Sequence, residues 1–264
     1  MRIGRYLDER GMPSLGRFEQ DGDSWFVTPV VGDVFSELQD FGETVRLEQQ
    51  RILAPLLPSK IVGIGSNYHK HIKEMGRAVP KVPKIFLKPS TAVVGPMEPI
   101  QIPPNTTRVD HEAELALVIG RRASRVSTED AFSYLLGLTC VNDVTARDFQ
   151  REDGTFARGK GFDSFAPLGP WILKTQADSP RQVRCWVNDE LKQDGNTSDL
   201  IFGIAELISF VSHVMTLLPG DVIATGTPSG VGPLKRGDRV VVEVEGVGRL
   251  SNPIVDRADR EPES

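Results

Sequence analysis

The chain has 264 residues, 25 % of them charged and 39 % hydrophobic, with a net charge of −5, a composition that excludes a disordered or low-complexity protein. A chain of this length buries about 70 % of its unfolded surface and needs no disulfide or structural metal to fold. The negative balance removes any electrostatic case for nucleic acid or an anionic membrane as partner, so an anionic substrate must be caught by a local cation.

In chain order, residues 1–57 read as a small β appendage, with strands at Trp25-Phe26-Val27 and Val30-Val31 and turns at Gly11-Met12-Pro13, Asp21-Gly22-Asp23 and Gly32-Asp33. A Pro-bounded linker, Ala54-Pro55-Leu56-Leu57-Pro58, leads into a second domain, 58–255. Its predicted strands cover 60–64, 85–88, 112–119, 138–143, 171–174, 183–187, 221–225 and 239–244. Short helices are expected at 71–75 and, behind a Ser127 cap with Asp130 three residues on, at 131–136. The apolar run from Leu200 to Leu218 is long enough for a membrane span, but it carries Glu206, Ser209, Ser212 and His213. Its apolar positions recur at helical spacing, which predicts a core helix over 204–217, stopped by Pro219-Gly220. Residues 256–264 are polar and read as a disordered tail. Strands outnumber helices without regular alternation, which excludes doubly wound and (β/α)₈ folds. Cys140 and Cys185 sit among apolar and β-forming residues and read as buried thiols. Met1-Arg2-Ile3-Gly4-Arg5 lacks the apolar core of a secretory signal, so a cytoplasmic protein is expected.

Two glycine-rich segments carry no nucleotide chemistry. Gly63-Ile64-Gly65-Ser66-Asn67-Tyr68 lacks the third glycine of a dinucleotide fingerprint, and Gly226-Thr227-Pro228-Ser229-Gly230-Val231-Gly232 lacks the Lys-Ser/Thr of a P-loop. The most informative segment is Asp110-His111-Glu112-Ala113-Glu114-Leu115. In a strand, Glu112 and Glu114 share a face, and two desolvated like charges repel unless a cation lies between them. Two glutamates facing water at a strand end are the alternative. Asp143, ending another apolar strand, adds a third acid. Three hard carboxylates point to one divalent cation, Mg²⁺ or Mn²⁺ ahead of Ca²⁺, with positions left for water or a chelating substrate.

Six segments, taken together and in this order, resemble the fumarylacetoacetate hydrolase superfamily: Gly65–Met75, Ile85–Ala92, His111–Leu115, Asn142–Gln150, Gly159–Asp163 and Thr225–Gly232. The resemblance spans nearly all of 60–255 and implies a mostly β fold, a mixed β-roll or β-sandwich with few helices, in a homodimer holding one divalent metal. It places the metal ligands on Glu112, Glu114 and Asp143. Asn67 stands where the fumarylacetoacetate hydrolases proper carry a fourth acid, which implies the subgroup acting on acylpyruvates, oxaloacetate or hydroxymuconate-type diacids.

His71 and Glu74 lie on one face of a helical turn, where a carboxylate orients an imidazole and raises its basicity as a general base requires; an exposed histidine on a charged helix is the alternative. Lys160 suits the negative charge that three carboxylates leave on a divalent ion, and can hold a substrate oxyanion. By resemblance, Arg147 and Gln150 aim at the same oxygen or at a carboxylate, Thr227 with loop N–H groups such as that of Gly226 holds the substrate's terminal carboxylate, and Tyr68 lies at the substrate. A plain turn is the alternative for Thr227. Lys88 reads as structural or as support behind the ligands, and His69, His111 and His213 have no evident partner. Gly76 and the Pro80–Pro83 stretch suggest a lid. The expected activity is isomerisation of a 2-hydroxyhepta-2,4-diene-1,7-dioate in aromatic-acid catabolism, with acylpyruvate hydrolysis or oxaloacetate decarboxylation as alternatives and a non-catalytic binding protein as a remote one. The expected partner is a small anionic 2-oxo acid.

Overall fold

The computed structural model describes residues 1–21, 24–48, 51–176 and 179–257. Strands β1 (Arg2–Leu7), β2 (Pro13–Asp21) and β3 (Ser24–Gly32) form an antiparallel meander. After β4 (Ile61–Gly65), helix α1 (His69–Glu74) and β5 (Lys84–Lys88) come β6 (Val109–His111), β7 (Ala113–Ile119) and β8 (Leu135–Asn142). Short helices α2 (Arg147–Asp153) and α3 (Ala157–Lys160) precede β9 (Ala166–Lys174), β10 (Gln182–Val187) and β11 (Glu190–Asn196). Helix α4 (Ile204–Val214) is followed by β12 (Val222–Ala224), β13 (Gly232–Leu234), β14 (Arg239–Val244) and β15 (Gly248–Asp256).

Among the described residues, a 12-stranded sheet passes through β3, β2, β1, β9, β8, β7, β12, β4 and β5 in that spatial order. The sheet is mixed, since β12 pairs parallel with β4 and antiparallel with β7. A 5-stranded sheet runs β11, β10, β14, β15 and then the short strand Ile100–Ile102, and a 3-stranded one joins Thr145–Ala146, β6 and β13. The protein is thus mostly β with few helices, as expected. The period of two explains the layering. Leu115, Leu117 and Ile119 of β7 meet Val183, Cys185, Val240 and Val242 of the 5-stranded sheet, whereas Ala116 and Val118 meet Leu168, Ile172 and Val222 on the other side. Every residue of β7 and β8 is buried, and each buried Val, Leu or Ile contributes roughly 1.5–3 kcal/mol, so this pair is a firmly packed part of the core. Its ends carry the site.

The N-terminal strands continue the large sheet. β1 pairs antiparallel with β9, Ile3 opposite Ile172, and Tyr6, Phe18, Leu47 and Ile52 close over Trp171. Trp25-Phe26-Val27 and Val30-Val31 are parts of the single strand β3.

The structure corrects several sequence expectations. The helix predicted at 131–136 is one 3₁₀ turn, Ala131–Tyr134. Ser127 does not cap it: the residue at its start is Asp130, which makes no side-chain cap bond, and Ser127 accepts from the Asp130 amide at 3.2 Å in the turn ahead of it. Leu135 and Leu136 are drawn into β8, where sheet burial outweighs a short, costly-to-nucleate helix. The long helix stops at Val214, because Leu217 bridges Ala123 in extended form. The expected tail is ordered at its start: β15 runs to Asp256, and the Arg257 amide donates to the Ile102 carbonyl at 2.9 Å. Residues 258–264, like Gly22 and Asp23 of the predicted turn, lie outside the described residues. Cys140 and Cys185 are buried and free. Among the described residues, no helix is long and apolar enough to cross a membrane.

Candidate active site

Glu112 lies between β6 and β7, where the chain passes from the 3-stranded to the 12-stranded sheet. Its amide donates to Asn142 Oδ1 at 2.9 Å, and the Asp143 amide donates to its carbonyl, also at 2.9 Å. Glu114, one pleat further along β7, accepts from the Gly226 amide at 2.8 Å. Gly226 has φ +99°, and a Cβ there would lie 2.8 Å from Asn67 Cβ, so only glycine lets this loop approach the carboxylate. Oxygens of Glu112, Glu114 and Asp143 come within 4.8 Å of one another, and all three residues are buried.

Cations surround two of the three acids. Lys160 Nζ donates to Glu112 Oε2 at 2.7 Å and also reaches Asp143 Oδ2. Lys88, fully buried, donates to Asp143 Oδ1 at 2.7 Å and to the Val144 carbonyl at 3.2 Å. Arg147 spans three partners: Asp110 Oδ2 at 2.8 Å, Gln150 Oε1 at 3.0 Å and Glu112 Oε1. Arg108 holds the other oxygen of Asp110 at 2.8 Å. Burial disfavours the charge on Glu112, but the Lys160 ammonium and Arg147 guanidinium outweigh it and hold its carboxyl below the usual range. For Lys160 burial is likewise outweighed, by Asp143 and Glu112, and its pKa rises. Burial pushes Lys88 down despite Asp143.

Glu114 stands apart. Among the described residues its carboxylate forms no ion pair, and burial together with Asp143 and Glu112 outweighs the Lys160 charge and raises its pKa well above the carboxylate range. Three converging carboxylates, one of them uncompensated, are the donor chemistry of a hard divalent cation. At full ionisation four acids (Asp110, Glu112, Glu114, Asp143) are matched by Lys88, Lys160, Arg108 and Arg147. A bound divalent ion would therefore leave an excess of two positive charges, where the sequence suggested a negative remainder.

The triad lines a cavity of about 60 Å³ together with His71, Lys160 and Thr227. This cavity shares His71, Met75, Arg77, Arg147, Gln150 and Phe156 with a wider chamber of about 540 Å³. Lys160 Nζ lies 4.8 Å from the centre of the Phe86 ring, which packs on Phe156. His71 Nδ1 is 3.2 Å from Glu74 Oε2, and Glu74 also accepts from the Gly230 amide at 3.3 Å. The structure therefore brings together Glu112, Glu114, Asp143, His71, Glu74, Lys160, Arg147 and Gln150.

Three residues expected at the substrate have other engagements. Tyr68 is fully buried and absent from the cavity wall, its hydroxyl has no partner among the described residues, and its backbone bridges Leu200. The Gly226 amide is spent on Glu114. Thr227 reaches the wall, but its hydroxyl donates to the Ala113 carbonyl at 2.9 Å and accepts from Gln193 Nε2 at 2.8 Å. Asn67 is a structural tie, donating to the Thr225 and Phe202 carbonyls at 2.8 and 3.1 Å and accepting from the Phe202 amide at 2.9 Å.

Sequence reasoning missed Asp110, Gln193 and the depth of Lys88. Asp110 was accessible through the alternation Asp110, Glu112, Glu114. Gln193, alone in an ordinary strand, carried no signal. Its Oε1 accepts from His111 Nδ1 and from the Ala113 amide, both at 3.0 Å, so His111 does have a partner. Burial lowers the His111 pKa and keeps the ring neutral.

The model of the fumarylacetoacetate hydrolase C-terminal family matches residues 60–255. A solved 5-carboxymethyl-2-hydroxymuconate delta-isomerase from Mycobacterium smegmatis is 44 % identical, with TM-score 0.89, over 97 % of this chain and 100 % of its own. A 2-hydroxyhepta-2,4-diene-1,7-dioate isomerase from Mycobacterium marinum is 40 % identical over 98 % and 100 %, with TM-score 0.90. A fumarylpyruvate hydrolase from Pseudomonas aeruginosa, solved with Mn²⁺ and pyruvate, is 32 % identical over 77 % and 91 %, with TM-score 0.71. A Bos taurus mitochondrial oxaloacetate tautomerase is 44 % identical over 216 residues, covering 77 % of this chain and 69 % of that protein. On these matches and the triad's geometry, the chain belongs to the fumarylacetoacetate hydrolase superfamily.

Proposed function

We propose that the protein is a divalent-metal-dependent isomerase that moves a proton between the enol and keto forms of a 2-oxo dicarboxylic acid, its substrate being of the 2-hydroxyhepta-2,4-diene-1,7-dioate type. The observation that carries this reading is one small cavity with the carboxylate triad and Lys160 on its wall and the His71–Glu74 pair beside them. A proton shift needs those two parts, a stabiliser of the enolate and a proton carrier.

Glu112, Glu114 and Asp143 would hold Mg²⁺ or Mn²⁺, which when bound supplies Lewis-acid stabilisation of the enolate oxygen. Glu74 fixes His71 with Nδ1 protonated and leaves Nε2 to take and return the proton. Lys160 adds an ammonium next to the developing negative charge, and the Phe86 and Phe156 rings keep water from it. A space of about 60 Å³ takes the 2-oxo acid head, leaving the rest of the molecule to the wider chamber. The isomerases and the oxaloacetate tautomerase among the relatives are named for shifts of this kind, on long and short acids respectively. Acylpyruvate hydrolysis is the second reading, favoured by the half-exposed Glu74 through which water can reach His71.

The test is turnover of the dienoate diacid, the enol of oxaloacetate and an acylpyruvate, each with Mg²⁺ or Mn²⁺ and after EDTA. Fast metal-dependent proton shift with slow cleavage is expected. Rapid acylpyruvate cleavage without any proton shift on the dienoate would replace this reading by the hydrolase.

A further inference from the structure

We propose that Arg77 and Arg151 receive the second, distal carboxylate of the substrate, so that the site selects long dicarboxylic acids over the matching monocarboxylic ones. This rests on the reading above only for the placement of the 2-oxo acid head in the inner cavity.

The cations of the site fall into two groups. Lys88, Lys160, Arg108 and Arg147 are each committed to a buried carboxylate. Arg77 and Arg151 line the chamber and, among the described residues, have no ion pair or side-chain hydrogen bond. The acids facing the same chamber do not claim them, since Asp110 is held by Arg108 and Arg147 and Glu74 by His71 and the Gly230 amide. The donors that the family resemblance assigned to a terminal carboxylate are spent internally, Thr227 on Ala113 and Gly226 on Glu114. A distal carboxylate therefore meets free guanidinium groups only at the chamber.

Spacing sets the length of the ligand. Arg147, Gln150 and Arg151 all line the chamber from α2, so they share one helical face. Arg151 lies one turn beyond Arg147, roughly 6 Å along the axis. Arg77 borders both the inner cavity and the chamber, opposite in sequence origin, just after α1. A head group beside Arg147 and a carboxylate one turn away suit a chain longer than that of oxaloacetate. The two surplus positive charges expected with a divalent ion in place favour a dianion over a monoanion.

The experiment is calorimetric titration of the Mg²⁺-loaded full chain with 2-oxoheptanedioate and with 2-oxoheptanoate, which share the head and differ in the distal carboxylate. The wild type should bind the diacid at least tenfold more tightly. Arg77→Ala/Arg151→Ala should erase that preference, and Arg77→Lys/Arg151→Lys should restore part of it. Both arginines are exposed, and a melting curve checks that each variant folds. Equal affinity for the two acids in the wild type, a preference that survives in the alanine variant, or no binding of either acid would overturn the proposal. A clear preference in a protein that turns over no dienoate would leave it standing and remove the isomerase reading instead.

Discussion

The Asp143 amide donates to the Glu112 carbonyl at 2.9 Å, so two of the three converging carboxylates are neighbours across one antiparallel strand pair. Their separation is fixed by backbone register, Ala113 opposite Asn142, and not by flexible side chains. The third acid, Glu114, is set by the same pleat and pinned by Gly226. The site is thereby pre-organised at the end of strands buried along their whole length.

Glu114→Gln is expected to abolish Mg²⁺ and Mn²⁺ binding while leaving the fold intact, because no cation loses its partner. Asp143→Asn, by contrast, strips charge from between Lys88 and Lys160 and should destabilise the protein by about 3 kcal/mol or more, the scale of a broken buried ion pair. Calorimetry and denaturant titration of the two variants check this. Unchanged metal affinity in Glu114→Gln would remove Glu114 from the ligand set.

Lys160→Met should lower kcat/KM by about 3 kcal/mol, or a hundredfold, the usual effect of losing one donor to an oxyanion. Steady-state kinetics on the metal-saturated enzyme measure it. Full activity would show that the ammonium only balances Glu112 and Asp143.

His71→Ala distinguishes the two chemistries. A proton shift can borrow solvent, so roughly a hundredth of the isomerase turnover should survive, within the 10²–10⁴-fold worth of a positioned acid–base group. Hydrolysis of acylpyruvates, which needs an activated water, should vanish. A variant without measurable isomerase turnover would count against solvent substitution.

Gln193→Leu should weaken both the fold and the metal site. It leaves the Ala113 amide, His111 Nδ1 and the Pro228 carbonyl without their partner, at roughly 1–3 kcal/mol for each buried group left unpaired. Because Ala113 separates Glu112 from Glu114, metal affinity should fall as well. Denaturation midpoint and metal titration, both at wild-type values, would show that these Gln193 hydrogen bonds support neither the fold nor the site.

Burial pushes the thiols of Cys140 and Cys185 up to about 12, against about 8.5 for a free cysteine. At pH 8 neither should react with a disulfide reagent until the chain unfolds. The sign for stability follows: the raised folded value contributes fully below about pH 8.5, and that contribution is lost as pH climbs toward 12. Stability measured across that interval should fall.

The strands of the core and the carboxylate triad were legible because each leaves a periodic trace, apolar runs for β7 and β8 and alternating acids for Glu112 and Glu114. Lys88 and Gln193 were not, since each is a single polar residue in an ordinary strand whose partner lies 55 or 80 residues away. The burial of Tyr68 was not legible either, because its place in a motif fixes its neighbours in sequence but not how deep its ring lies. At 131–136 the Ser127–Asp130 signal built a turn and not a helix cap, and the pairing of Leu135 with Ile119 took the following residues into β8.

The pairing of β1 with β9 gives the N-terminal strands a protective duty. A chain cut before Pro58 would turn β9 into an open edge near Ile172 and Leu173 and would bare Trp171, whose ring lies 5.5 Å from that of Phe18 and 4.7 Å from that of Trp25. Unpaired backbone beside a stripped aromatic is a template for another molecule's strand. Such a fragment would keep every side chain of the candidate site and is still expected to aggregate.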